Sequence, residues 1–257
     1  MATQEVTKYD VRGRAAWITL DNPQNRNALS AAMVGELGAH LRAAIADPTV
    51  RVIVLTGNGP AFCAGADLKS RGDAVAPGSG QRNPFVETLQ LIWEGPKPVI
   101  VAANGHAFGG GLGLIAAADV AIAVDGATFS FSEVRVGVIP AMISVVVLPK
   151  IGAHHAMRLF LTGRRFGAAE AQAYGLVHRV ATPAGLAEAV QEEIDAIVLG
   201  GPNAVAEAKR LIRTVARLPM EEAFAYAEER IAALFASPEA AEGMMAFATK
   251  RRPAWAE

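Results

Sequence analysis

The 257-residue chain contains one cysteine, Cys63, so no disulfide can form within it, and a reducing compartment is the expectation. Excess charge is lacking too. Against 24 Lys and Arg stand 25 Asp and Glu, a formal net charge of -1, which argues against a general electrostatic affinity for nucleic acid or anionic membrane. The first residues, Met1 to Asp10, are polar and lack the apolar core of a secretory leader, so a cytoplasmic protein is expected. Only Val99 to Val124 is long and nearly uncharged, and its glycines, Asn104, His106 and Asp119 divide it into strand, loop and buried helix, not a membrane span. What is abundant is apolar side chain. With 52% apolar and 19% charged residues the chain is not disordered, and its length buries a core as one large domain or a domain with an appendage.

The most informative stretch runs from Pro98 to Leu114. An apolar strand, Val99-Ile100-Val101, leads through Asn104-Gly105-His106-Ala107-Phe108 to Gly109-Gly110-Gly111, ahead of a helical run from Leu112 to Ala118. Glycines there let a ligand approach the backbone, and a helix start offers unpaired N–H donors suited to a negative oxygen. The pattern recurs upstream. Asn58-Gly59, Ala61-Phe62 and Gly65 fall on Asn104-Gly105, Ala107-Phe108 and Gly111 at a constant offset of 46 residues. A repeat of this length predicts successive superhelical turns of strands and helix, which set equivalent loops side by side. Two such loops could aim two backbone N–H groups at one point, as an oxyanion hole requires.

Elsewhere, Ala15 to Leu20 reads as a strand closed by a turn at Asp21 to Asn25, and Ser30 caps a helix that ends near Asp47-Pro48. Arg51 to Leu55 is a strand, Lys69 to Arg82 a polar surface loop, and Pro84 opens a helix marked by Phe85, Leu89 and Ile92. Val120 to Val124 and Thr128 to Phe131 read as strands separated by a turn at Asp125-Gly126, and from Ala153 the chain is mostly helical. Beyond about Ala196 the apolar residues Val205, Leu211, Ile212, Val215, Phe224, Ile231 and Phe235 form stripes on short helices, which predicts a helical domain at 196–257, used partly for self-association, after a core domain at 1–195.

These motifs, taken in order, resemble the crotonase superfamily, the enoyl-CoA hydratase/isomerase family. The matching pieces are Asn22-Pro23 with Asn27-Ala28-Leu29, Ala61 to Leu68, Asn104-Gly105 with Gly109-Gly110-Gly111, Phe131-Ser132-Glu133 with Gly137 and Ile139-Pro140, and Gly243-Met244 with Phe247 and Lys250-Arg251. The resemblance implies an α/β fold: a spiral of strand-strand-helix repeats with a C-terminal helical trimerisation domain, assembled as a homotrimer or dimer of trimers. It implies an acyl-CoA substrate, with no cofactor beyond the CoA it carries, and no metal. The thioester oxygen would accept from the amides of Ala66 and Gly110, while Arg26, Ala28, Ala64, Ala66, Asp67, Leu68, Lys69, Gly110, Phe247 and Lys250 would contact the acyl-CoA.

One departure from the family pattern stands out. Two-carboxylate hydratases have a glutamate where this chain has Gly113, so only the second acid, matched by Glu133, is present. Single-glutamate members include isomerases and hydratases of branched or carboxylated enoyl-CoAs such as methylglutaconyl-CoA; the run from Ser132 to Ala141 is closest to the latter. The implied activity is therefore hydration of a 2-enoyl-CoA with Glu133 as the catalytic acid and base. The alternatives are a Δ3,Δ2-isomerase and a non-catalytic acyl-CoA binder. Among the other polar residues, Arg135 is open between pairing with a substrate carboxylate and a structural role, and Asp67 between capping and ligand contact. Cys63 reads as a small buried residue, His154-His155 as no metal site, and His106 as a residue of the central loop with a packing or loop hydrogen-bond role.

Overall fold

A computed structural model describes residues 5–67 and 82–256. Strands β1 (Thr7–Arg12), β2 (Ala15–Leu20), β3 (Val52–Gly57) and the helix α1 between β2 and β3 (Ala31–Ala46) open the fold. Ser30 caps α1 as expected, its hydroxyl accepting from the Met33 amide at 3.2 Å. Next come β4 (Ala61–Cys63), α2 (Pro84–Glu94), β5 (Val99–Ala103), β6 (His106–Phe108), α3 (Gly110–Ala117), β7 (Val120–Val124) and β8 (Thr128–Ser130). The larger sheet has the order β1-β2-β3-β5-β7-β10, where β10 is Arg179–Ala181, and the smaller one the order β4-β6-β8-β9, where β9 is Phe166–Gly167.

The repeat seen in the sequence is structural. β3, β5 and β7 lie parallel in the large sheet, with Ile53 opposite Val99 and Ile100 opposite Val120, and their successors β4, β6 and β8 lie parallel in the small one. Each superhelical turn thus contributes one strand to each sheet. The two strands expected on either side of Asp125-Gly126 are both present as β7 and β8, but they belong to different sheets, so the turn between them is a corner and not a hairpin. The Asn-Gly pairs have a matching cause. Asn104 accepts from the Gly57 amide at 2.9 Å and donates to the Gly59 carbonyl at 2.9 Å, tying one turn to the preceding one. At Gly105 a Cβ would overlap the Pro60 carbonyl, so only glycine allows the turns to stack this closely.

Alternation along the strands produces two apolar layers. Ile18, Leu55, Val101 and Ala123 face the main core under α1, α2 and α3. Val54, Ile100 and Ile122 face the other way, against Ala189, Val190 and Ile194 of α6 (Leu186–Val198), which follows the short α5 (Ala168–Ala173). Between β8 and β9 lies α4 (Ala141–Thr162), which starts earlier than the expected helical region and is broken at Gly152, where φ is 67°. After α6 come α7 (Pro202–Val215), α8 (Met220–Phe235) and α9 (Pro238–Ala248). α7 is anchored to the core by buried charge: Lys209 Nζ lies 2.8 Å and Arg213 Nη2 2.6 Å from the Asp119 carboxylate, and Lys209 also donates to the Ile92 and Lys97 carbonyls at 2.9 Å. No helix among the described residues is long and apolar enough to cross a membrane. Most of the loop expected at 69–82 lies outside the described residues.

Candidate active site

The two glycine-containing loops meet. Gly109, the residue before α3, has φ 49° and ψ -117°, a left-handed backbone that favours glycine, and its amide donates to the Ser130 carbonyl at 3.0 Å. Gly110 is then the first helical residue, not part of a loop ahead of Leu112, and its N–H is one of the donors that a helix start leaves without an intrahelical acceptor. On the other loop, Gly65 has φ 84°, and a Cβ there would lie 2.7 Å from the Phe108 carbonyl oxygen and 3.3 Å from the Gly110 nitrogen. The residue preceding Ala66 therefore abuts the Gly110 amide. A bridge to Leu29 runs through Gly65 and Asp67: the Leu29 amide donates to the Gly65 carbonyl at 2.8 Å and the Asp67 amide to Leu29 at 3.4 Å. That pattern leaves the Ala66 N–H out of the ladder. Neither it nor the Gly110 N–H has an acceptor among the described residues.

Glu133 opens a short 3-10 turn, Glu133–Val136, closed by Gly137 in the left-handed conformation. Its Oε1 lies 3.2 Å from where a Cβ of Gly109 would be, so the carboxyl packs over the backbone immediately before Gly110. Its Oε2 is buried without a hydrogen-bond partner, and burial pushes the pKa above the usual glutamate range. The acid and the two free amides thus share one neighbourhood. Its walls are apolar: a Cβ at Gly110 would lie 2.6 Å from Leu29 Cδ1 and 3.3 Å from Phe85 Cζ.

At Gly113 a side chain has no room. Its Cβ would overlap Ile143 Cγ2, lie 3.1 Å from Ile143 Cβ, and meet Leu89 Cδ2 at 3.7 Å. The place where family members with two acids put the first one is filled by a β-branched side chain from the first turn of α4, and the three atoms nearest to it among the described residues are all apolar carbons.

Of the positions expected to contact an acyl-CoA, Arg26, Ala28, Ala64, Ala66 and Asp67 line one cavity of about 370 Å³, together with Gln24 and Asn25. Asp67 accepts from Asn25 Nδ2 at 3.1 Å. Any helix it caps, like Leu68 and Lys69, lies outside the described residues. Phe247 and Lys250 are not brought to this cavity by any hydrogen bond or ion pair among the described residues; both are exposed at the end of α9, which is held to α7 through Glu239 and the Asn203 and Ala204 amides.

Arg135 reaches the C-terminal end of α4, its Nε and Nη2 each 3.4 Å from the Thr162 carbonyl, which makes it a structural cap. Cys63 is fully buried, its thiol pushed up to about 12 by burial. The His155 ring packs against Tyr174 at 4.5 Å. His106, expected in a loop, opens strand β6, and its Nδ1 accepts from the Thr128 amide at the start of β8 at 3.1 Å. The walls formed by Leu29, Phe85, Leu89 and Ile143 were not legible as a site. Phe85 and Leu89 show only a helical stripe in the sequence, and Ile143 enters there only with Ser144, as the end of the run that resembles hydratases of branched or carboxylated enoyl-CoAs, with no sign that its side chain fills the space at Gly113.

Comparison with known proteins agrees with this geometry. The sequence profile described as Enoyl-CoA hydratase/isomerase matches residues 12–257. A carnitinyl-CoA dehydratase of Escherichia coli is 38% identical over 244 residues, 93% of each chain, and one from Citrobacter koseri is 36% identical over the same share. Among solved structures, an enoyl-CoA hydratase from Shewanella pealeana superposes with a TM-score of 0.92 at 32% identity, covering 99% of this chain and 100% of the other. An enoyl-CoA hydratase/isomerase from Marinobacter aquaeolei gives 0.91 at 37% identity, with 98% and 100% covered. Stacked strand-strand-helix turns, adjacent glycine loops and full-length relatives thus converge on one conclusion: this chain is an enzyme of the enoyl-CoA hydratase/isomerase family, the crotonase superfamily.

Proposed function

We propose that the enzyme adds water to a 2-enoyl-CoA, with the Ala66 and Gly110 amides holding the thioester oxygen and Glu133 as the only proton-transfer group. The observation that carries this reading is the Glu133 carboxyl packed on Gly109, next to the unpaired Gly110 amide. Two donors on the thioester oxygen draw electron density from the conjugated double bond. Glu133 takes a proton from water as the water oxygen bonds to the β-carbon, and the double-bond electrons move to the thioester oxygen as an enolate. The same glutamic acid then returns the proton to the α-carbon, and the carbonyl reforms. Water is added and Glu133 ends as it began; in reverse the same steps dehydrate a 3-hydroxyacyl-CoA. A raised pKa suits an acid that must both accept and release the proton. Losing one oxyanion donor costs roughly 10²–10³ in rate.

Loss of the conjugated thioester absorbance, followed with straight and branched 2-enoyl-CoAs, tests the reading. Turnover no faster than that of a Glu133→Gln control would sink it. The filled space at Gly113 favours a second reading, a Δ3,Δ2-isomerase, because moving one proton between two carbons needs a single base. Supplying a 3-enoyl-CoA and finding that conjugation appears faster than any hydration would select it. Tight acyl-CoA binding without turnover would instead mark a non-catalytic binder. Self-association through the helical segment 196–257, as a trimer or dimer of trimers, and a cytoplasmic setting belong to the same proposal. Exposed Phe224, Phe235 and Phe247 on α8 and α9 support the former.

A further inference from the structure

Among the described residues Glu133 Oε2 has no hydrogen-bond partner, so the placement of the carboxyl depends on the turn that carries it. That turn is fastened on both sides to the C-terminal end of α4. Upstream, Ser130, the last residue of β8 and only 2% exposed, donates its hydroxyl to the Gly163 carbonyl at 2.8 Å. Between Ser130 and the acid, the fully buried Phe131 meets the Phe160 ring edge-on, with centroids 4.8 Å apart. Downstream, Arg135 donates to the Thr162 carbonyl, and its stem packs along Gly163, where a Cβ would lie 3.2 Å from Arg135 Cγ. Gly163 has φ 55° and closes the helix, its amide donating to the Leu159 carbonyl at 3.0 Å. The last carbonyls of a helix lack intrahelical partners, and here the side chains on either side of the acid supply donors to two of them. Ser130 also faces the other way. Its carbonyl accepts from the Gly109 amide at 3.0 Å, and Gly109 is both the residue under the Glu133 carboxyl and the one before the Gly110 donor.

We propose that Ser130 and Arg135 are positioning residues, which clamp the Glu133 turn onto the end of α4 and, through the Ser130 carbonyl, fix the acid against the Gly110 amide. This rests on the reading of Glu133 as the proton-transfer group. Neither side chain needs to touch the ligand. A lone acid has to meet both the attacking water and the α-carbon, so a small shift of its carboxyl harms every step, and a misplacement of about 1 Å can cost on the order of 10²-fold in rate. Without the Ser130 hydroxyl the buried Gly163 carbonyl has no donor from this turn, and the segment between Ser130 and Arg135 is held at one end only.

Two rates test the clamp in the full-length protein: hydration of a 2-enoyl-CoA, as kcat and KM, and exchange of the α-hydrogen of butyryl-CoA for deuterium in heavy water, followed by mass spectrometry. In the exchange Glu133 takes the α-proton, the electron pair rests on the thioester oxygen, and a deuteron from solvent returns to the carbon, so no water is added. Ser130→Ala should lower kcat and exchange roughly 10- to 100-fold with KM unchanged. Thr7→Val, which removes an equally buried hydroxyl bonded to Glu36 on the edge strand β1, should lower Tm and leave both rates at the wild-type level. Arg135 is exposed, so its variants should fold; Arg135→Gln should lose rate in the same sense, and Arg135→Lys, which keeps a donor for Thr162, should recover most of it. Wild-type rates in either Ser130→Ala or Arg135→Gln would overturn the proposal, as would losses confined to KM, the mark of a side chain that touches the ligand. If Ser130→Ala fails to fold, the Arg135 pair decides by the same criteria. A wild type that exchanges without hydrating refutes hydration alone, and the clamp stands or falls on exchange. A wild type that does neither ends the role of Glu133 and that of the clamp with it.

Discussion

Glu133 combines a buried oxygen that has no partner with a position beside a free main-chain amide. Its ordinary environment would be water, where the carboxylate is the stable form; burial shifts the balance toward the acid. Glu133→Gln is therefore expected to lower hydration at least 10²-fold, the lower bound of a general acid-base contribution, with the thioester still bound. The pH profile of kcat/KM should fall on the acid side with an apparent pKa above the usual glutamate range, because the carboxylate is the form that activates water. Stability should move the other way. A folded-state pKa above the unfolded one means that the folded chain holds the proton more tightly, so the penalty from Glu133 is absent at acid pH and grows as pH rises through that window. Removing the charge should raise Tm at neutral pH by only ~1–3 °C, since the group is half-exposed and solvent screens it, with the gap closing on acidification.

At the scale of elements, α3 and α4 decide how many acids the site contains. Gly113 faces the first turn of α4 so closely that Ile143 holds the space of any side chain there. Gly113→Glu alone is expected to misfold or lose more than about 3 kcal/mol through overpacking and a buried unpaired charge, read as a fall in thermal midpoint. Pairing it with Ile143→Gly should recover most of the stability, because the two changes share one space and are coupled, not additive. Recovery from Ile143→Gly no greater than from a distant substitution would show that Ile143 is not what closes the position.

Across the whole molecule, the ion cluster at Asp119 joins the helical C-terminal segment to the superhelix. Lys209 and Arg213 from α7 meet at one carboxylate, which also accepts from the Val99 amide at 2.8 Å, and Arg213 stacks 4.2 Å from the Trp93 ring centroid. Burial lowers the pKa of both cations, so neither is comfortable there without the acid. Asp119→Ala should destabilise the fold by about 3 kcal/mol in denaturant titration, far more than loss of an exposed pair would. Phe247 is 88% exposed in the isolated chain, and Phe235 63%. Light scattering should find three or six chains per particle, and Phe235→Asp with Phe247→Asp should release monomers. Monomeric wild type at micromolar concentration would refute self-association through this surface.

Much of this was readable from residues alone because the relevant signals are local. Asn104-Gly105 and Asn58-Gly59 mark where consecutive turns are tied, Ser30 and Pro84 mark helix starts, and the offset of 46 residues marks the repeat itself. The six-residue β1, whose largely exposed polar residues show no apolar alternation, was missed, and so were the small strands β4, β6, β9 and β10, since two- and three-residue strands are defined by their neighbours and not by their own pattern. The distribution of β7 and β8 between two sheets was missed for the same reason. What the sequence by itself determined was the family, the two glycine loops and the lone acid, because backbone freedom and absent side chains are written residue by residue. That Ile143 fills the space at Gly113, that Glu133 lies on Gly109, and that Ser130 donates to Gly163 were decided only by tertiary structure. Those contacts join segments tens of residues apart, and they follow from how the superhelical turns stack.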